Sequence, residues 1–325
     1  MGERSPHVTV AVIQAAPVLF DRDATLARAG LLAVDAAAFG ARVILFPEAF
    51  VPAYPRGMSF GANVGSRSDE GRLTWQLYWE QSVDVPGPST IALGRIAREC
   101  QSYIAIGVIE RDSTHSRGTL YCTVLFFGPD GQFLGKHRKL KPTASERLIW
   151  GEGDGSTLTA VDTEYGTMGA LICWENYMPL ARMAMYGKGV DLYLAPTADA
   201  RDTWQATLTH IACEGRCFVL GCNQFVTRSM YPPDLINREH LESSPEVMCR
   251  GGSAIISPRG DILAGPLYDR EGILTAELDL AEIPRARFDL DVTGHYARPD
   301  VFRLIVNEEP ADPVVYVQDQ SPRSH

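Results

Sequence analysis

No stretch of this 325-residue chain approaches the ~20 consecutive apolar residues of a membrane-spanning helix, and Met1 to Thr9 shows no charged-then-apolar leader pattern. A cytoplasmic protein is expected. Positive charge is in deficit: 30 Lys and Arg stand against 40 Asp and Glu, giving a net charge of −10 and a pI near 5.2. Nucleic acid and anionic membrane both need a basic surface, so neither is an expected partner; a small uncharged ligand escapes the objection. The seven cysteines are odd in number and scattered through a chain large enough to bury a core without staples, which favours free thiols over a disulfide framework. The run Gly151-Glu152-Gly153-Asp154-Gly155-Ser156 lacks the Lys-Ser/Thr that a phosphate-binding loop requires. His210, Cys213 and Cys217 fall at helical spacing without a further ligand pair, so a core helix face accounts for them and no metal is expected.

What the chain does have is an ordinary globular composition, 45% hydrophobic and 22% charged, and an alternation of strand and helix patterns. Val8–Gln14 reads as a strand, Asp21–Ala38 as a helix ended by Gly40, and Arg42–Phe46 as a buried strand stopping at Pro47-Glu48. Residues 51–71, rich in Gly and Pro, read as a long loop and a candidate pocket wall; Tyr54 lies in it. A helix follows over Pro88–Gln101, then strands Tyr103–Glu110, Thr119–Phe127 and Phe133–Lys139, the last two joined by the turn Pro129-Asp130-Gly131. Further strands are expected at Leu158–Val161, Asp191–Ala195, Cys217–Asn223, Gly252–Ser257 and Ile273–Asp279, with a helix over Ala200–Gly215. Residues 228–250 form a polar excursion with three prolines, and residues 306–325 a tail, leaving 1–305 as one domain.

The organising stretch is Thr167 to Leu180. An apolar run of strand length ends on Cys173 and a helical pattern begins directly after it, so the thiol is expected at a strand-to-helix corner, where a first helical turn offers free N–H groups. Residues 40–47 and 189–196 are alike in form, and the two hairpin turns, Pro129-Asp130-Gly131 and Pro258-Arg259-Gly260, correspond. Two similar halves, each a sheet covered by helices on one side, would pack face to face as an α/β four-layer α-β-β-α sandwich.

Three separated motifs then line up: Pro47-Glu48, Lys136-His137-Arg138-Lys139-Leu140-Lys141-Pro142-Thr143, and Cys173-Trp174-Glu175-Asn176. Together with Glu146-Arg147 and the 151–156 run, and over nearly the whole chain from Val8 to Asp300, they resemble the nitrilase branch of the carbon–nitrogen hydrolase superfamily. The resemblance implies the four-layer sandwich and a Cys-Glu-Lys centre at Cys173, Glu48 and Lys139, with Glu146 as a second glutamate and no metal or organic cofactor. It also implies hydrolysis of a nitrile with water to acid and ammonia, and a homo-oligomer in which dimers extend into a spiral through insertions such as 228–250. Tyr54 and Trp174 are candidates to line the substrate pocket. The chemistry needs these residue types: only a thiolate attacks an electrophilic carbon, a carboxylate can take its proton, and a lysine can hold developing negative charge. An amidase or carbamoyl hydrolase on the same centre is the nearest rival, and an inactive binding or redox-sensing protein a rival of another class.

Overall fold

The computed structural model describes residues 6–236 and 238–315; of the expected tail, 316–325 lie outside the described residues. Two sheets stack with helices on their outer faces. In the first, strands Gly272–Asp279, His7–Gln14, Val43–Leu45, Tyr103–Arg111, Leu120–Phe127 and Phe133–Arg138 follow in that order. In the second the order is Phe225–Thr227, Val247–Ile256, Phe218–Cys222, Leu192–Pro196, Gly166–Ala170 and Ala160–Thr163.

The period-two alternation of strand side chains builds the layers. Val10, Val12, Leu45, Val124 and Phe126 of the first sheet meet Met168, Leu192, Leu194 and Leu220 of the second in one core. The intervening residues Ala11, Ile13, Ile44 and Ile106 point the other way, onto helices Arg22–Ala38 and Pro88–Cys100 through Ala29, Ala33, Leu93 and Ala97. On the far side Tyr193 and Val219 meet helices Pro179–Gly187 and Thr203–Gly215 through Met185, Leu208 and Ile211. The expected α-β-β-α sandwich is the fold.

Each sheet has a parallel centre. Val43–Leu45 runs parallel to both His7–Gln14 and Tyr103–Arg111. Leu192–Pro196 runs parallel to both Gly166–Ala170 and Phe218–Cys222. The carboxyl ends of such strands are where α/β sheets gather ligands, and both Glu48 and Cys173 lie just beyond one.

The structure adds to or departs from the sequence reading at several points. A helix, Asp69–Gln81, occupies the end of the expected loop; its buried face is Gly71, Thr74 and Tyr78, too small and polar to show as apolar periodicity. Its start was marked, since Ser68 Oγ accepts from Gly71 N at 3.0 Å and Asp69 and Glu70 fill the first turn. The last strand, Gly272–Asp279, pairs antiparallel with His7–Gln14, so the chain's final strand belongs to its first sheet. Strand Val247–Ile256 begins inside the expected excursion, which shrinks to 228–246 and is packed: Tyr231 and Leu241 are buried, and the Tyr231 hydroxyl donates to the Arg56 carbonyl at 3.0 Å. Finally, Cys173 opens a 3-10 turn, Cys173–Tyr177, and the α-helix starts only at Pro179.

Candidate active site

Glu48 follows the short strand Val43–Leu45 and is wholly buried. Its carbonyl accepts from Gln224 Nε2 at 2.8 Å, which ties it across to the second sheet. Lys139 extends the strand Phe133–Arg138; its N–H donates to the Cys122 carbonyl at 2.8 Å, and its own carbonyl accepts from Gly153 N at 2.8 Å. The glycine is required, because a Cβ on Gly153 would stand 2.4 Å from the Arg138 oxygen. The glycine run that fails as a phosphate loop thus lets the chain close over the strand bearing the lysine.

Lys139 Nζ donates to Glu48 Oε1 at 2.7 Å and to Glu146 Oε2 at 2.8 Å, with the ammonium 0% exposed. Glu146 sits in the short turn Ala144–Leu148, where the same Oε2 accepts from Thr143 N at 2.6 Å and Oε1 accepts from the Tyr54 hydroxyl at 2.6 Å. Glu48 Oε2 is buried and has no hydrogen-bond partner among the described residues. A buried carboxylate oxygen without an N–H or O–H donor costs free energy, and the Cys173 thiol is the neighbouring group that offsets part of that cost at Glu48.

Cys173 is buried at the turn with φ 53°, the left-handed region that a side chain occupies at a cost of about 1–3 kcal/mol. Asn176 Nδ2 donates to the carbonyls of Leu171 (2.9 Å) and Cys173 (2.8 Å), which holds the turn in shape. Thr197, just past the neighbouring strand, donates from Oγ1 to Cys173 Sγ at 3.2 Å and accepts from Asp199 N at 2.9 Å, so the direction of its hydroxyl is fixed.

The electrostatics follow from burial and from two carboxylates sharing one lysine. Burial pushes the Cys173 thiol up to about 12, with Glu48 adding to the rise and Lys139 opposing it. Burial likewise raises Glu48 above its ordinary value, against the pull of Lys139 and with help from Glu146. Burial disfavours the charge on Lys139, yet Glu48, Cys173 and Glu146 outweigh it and hold the lysine protonated well beyond its usual range. The resting site is a neutral thiol, a fixed cation and a carboxylate of raised basicity, an arrangement in which a carboxylate could take the proton of a neighbouring thiol.

The structure therefore brings Cys173, Glu48, Lys139, Glu146 and Tyr54 together. Trp174 is outside this cluster, 38% exposed, with its indole N–H on Asp199 Oδ2 at 2.9 Å and the Arg201 guanidinium 4.6 Å from its ring. Beside Ala198 and Asp199 opens a recess of about 520 Å³, lined also by Arg56, Arg201, Met248 and Arg250. A roomier one of about 870 Å³, lined by Leu280, Ile283 and Phe288 among others, contains none of the clustered residues. Sequence reasoning missed Thr197 and Arg56. Thr197 was visible only as the residue ending a strand-Pro motif; the Arg56 guanidinium, 5.0 Å from the Tyr54 ring centroid, was one charge in a loop. Among the described residues no group of three or more His, Cys, Asp or Glu side chains converges as a metal site would require.

Residues 9–288 match the carbon–nitrogen hydrolase family. The chain belongs to that family. It stands in the nitrilase branch of the carbon–nitrogen hydrolases: it is 56% identical over 306 residues to an aliphatic nitrilase of Sinorhizobium fredii, covering 94% of this chain and 97% of that protein. It is 51% identical over 316 residues to a bifunctional nitrilase/nitrile hydratase of Lupinus angustifolius, covering 96% and 89%. Nitrilase 2 of Arabidopsis thaliana is 48% identical over 317 residues, covering 96% and 92%. Among solved structures, Saccharomyces cerevisiae Nit3 superposes with a TM-score of 0.65 at 24% identity, covering 91% of this chain and 98% of that one. An amidase from Nesterenkonia superposes at 0.64 and 19% identity, covering 89% and 96%. These two carry the fold. As a carbon–nitrogen hydrolase, the protein is a hydrolase of carbon–nitrogen bonds, and among the described residues no helix is long and apolar enough to cross a membrane.

Proposed function

We propose that this carbon–nitrogen hydrolase is a nitrilase that converts an organic nitrile and water to a carboxylic acid and ammonia, with Cys173 as nucleophile, Glu48 as general base, Lys139 as charge stabiliser and Glu146 as the group that holds Lys139. The observation that carries the reading is the buried cluster of these four side chains in a chain about half identical to proteins named nitrilases. Glu48 takes the thiol proton as sulfur bonds to the nitrile carbon, and the nitrile nitrogen gains a proton to give a thioimidate. Water adds, the nitrogen leaves as ammonia, and the thioester left on sulfur is hydrolysed by a second water to the acid and free thiol. Lys139 stabilises negative charge in both tetrahedral intermediates. Tyr54 orients Glu146, and Trp174 with Asp199 borders the approach to the cysteine.

The tetrahedral thioimidate–water adduct can instead lose sulfur and release an amide. The relatives named as bifunctional nitrilase/nitrile hydratase favour a measurable amide fraction here as well, with acid as the main product. Ammonia release should be followed over parallel panels of nitriles and of amides, with aliphatic nitriles included. Turnover of nitriles at rates above those of the matching amides is expected; amide turnover without nitrile turnover would assign the centre to an amidase.

The reading extends to the assembly. The excursion 228–246 and the loop carrying Tyr54 and Arg56 pack together through Tyr231, and we assign this region to contacts that extend dimers into a larger, spiral homo-oligomer in the cytoplasm. Shortening the excursion is expected to lower the mass seen by light scattering; an unchanged mass would remove it from the interface.

A further inference from the structure

Glu175 is 1% exposed and two residues beyond the nucleophile, yet its carboxylate does not point at the reacting atoms. Its Oε2 accepts from the backbone N–H of Ile172 at 2.7 Å, and its Oε1 from the backbone N–H of Leu140 at 2.6 Å. Ile172 immediately precedes Cys173 and Leu140 immediately follows Lys139. The lysine ends a strand of the first sheet and the cysteine follows a strand of the second. One carboxylate thus joins the two sheets at the two backbone positions that flank the nucleophile and its cation.

His137, itself wholly buried, supplies the third bond. Its Nε2 lies 2.9 Å from Glu175 Oε2 and 3.2 Å from Oε1, and its Nδ1 lies 2.9 Å from the Thr157 carbonyl oxygen. A carbonyl oxygen cannot donate, so Nδ1 carries a hydrogen, and Nε2 faces a carboxyl group whose two oxygens already accept backbone N–H bonds. Burial works against a charged ring, but Glu175 outweighs it and raises the pKa of His137. A buried carboxylate is retained at such a place when it is fully paired, because breaking one partner leaves an uncompensated charge.

We propose that Glu175, held by His137, is a positioning residue that fixes the placement of Lys139 relative to Cys173. The inference rests on reading Cys173 as the nucleophile and Lys139 as its cationic partner. It goes beyond that reading because neither Glu175 nor His137 touches substrate. Replacing the carboxylate by an amide turns one of its acceptors into a donor, so one of the two backbone N–H groups loses its partner and the two segments separate.

The test combines Glu175→Gln with His137→Ala and His137→Gln in the full chain. For Glu175→Gln, kcat on a nitrile should fall by roughly 10²-fold while KM changes by less than about threefold, the cost of a small misplacement of catalytic groups. Alkylation of Cys173 by iodoacetamide, read by peptide mass spectrometry, should slow by at least about tenfold, because a displaced Lys139 no longer supports the thiolate. His137→Ala should show the same pattern in weaker form, and His137→Gln, which can still donate to the carboxylate, should recover most of the loss. A merely structural role predicts a lower melting temperature with unchanged kcat and alkylation rate per folded molecule, and that result overturns the proposal. If Glu175→Gln does not fold, the His137 pair decides: equal kcat and equal alkylation in the alanine and glutamine variants contradict the clamp. Alkylation needs no nitrile, so a failure to find nitrile turnover would leave this arm readable.

Discussion

Gly107 lies directly behind Glu48: a Cβ at Gly107 would stand 2.8 Å from the Glu48 Cα, 2.6 Å from the Ala49 nitrogen and 2.2 Å from the Pro47 oxygen. All three are backbone atoms with no side-chain freedom to yield, so an alanine there must push the strand end that carries Glu48. Gly107→Ala is expected to lower kcat by roughly 10²-fold through displacement of the base, and stability by about 1–3 kcal/mol through overpacking. Kinetics and thermal melts of the same preparation separate the two effects. A full-activity variant would show that the base tolerates movement.

Glu146 holds Lys139 and Thr143 N with one oxygen and Tyr54 with the other. The amine leaves the tetrahedral intermediate only when protonated, and a nearby carboxylate favours the ammonium form. Glu146→Gln should therefore lower the overall rate and raise the amide fraction, quantified by chromatography of amide and acid from one nitrile. A slower variant with the native product ratio would limit Glu146 to holding the lysine.

The pH dependence follows from the directions of two shifts. Glu48 must be ionised to act as base, and its pKa is raised, so kcat/KM should fall as pH drops through a value above the ordinary 4.5. The thiol, at about 12, stays protonated throughout the working range. With Glu48 as the proposed base taking that proton within the reaction, kcat/KM should level off once Glu48 is ionised. A rate that instead kept climbing about tenfold per pH unit through pH 9 would mean that a free thiolate is the reacting species and that Glu48 is not its base.

Much of this was legible from the residues, for identifiable reasons. Strand His7–Gln14 and helix Arg22–Ala38 announce themselves because apolar side chains face a core at periods of two and of a helical turn. Cys173 and Glu48 stand out because each lies just past a strand end, whereas their grouping with Lys139, which follows strand Phe133–Arg138, comes from the resemblance of three separated motifs to the nitrilase branch. Helix Asp69–Gln81 was missed because its buried face is Gly71, Thr74 and Tyr78, with Tyr78 reaching across to the Ala53 carbonyl at 2.9 Å. The pairing of Gly272–Asp279 with His7–Gln14 joins opposite ends of the chain, and local pattern carries no information about partners so distant. Thr197 could not have been chosen either: its hydroxyl matters only because the second sheet sets it 3.2 Å from the sulfur. Trp174, expected to line the pocket, stands outside the buried cluster with its indole N–H on Asp199, a placement that local pattern does not specify.

The central claim is that Cys173 attacks a nitrile carbon, and peptide mass spectrometry of enzyme quenched during nitrile turnover tests it most directly. The expected result is an acyl or imidoyl adduct on the peptide bearing Cys173, with neither adduct nor turnover in a folded Cys173→Ala variant. An adduct on another cysteine, such as Cys122, whose Sγ lies 3.6 Å from Glu48 Oε1, would contradict the account. So would a Cys173→Ala variant that keeps even roughly a tenth of the native rate, since loss of a true nucleophile costs far more than that.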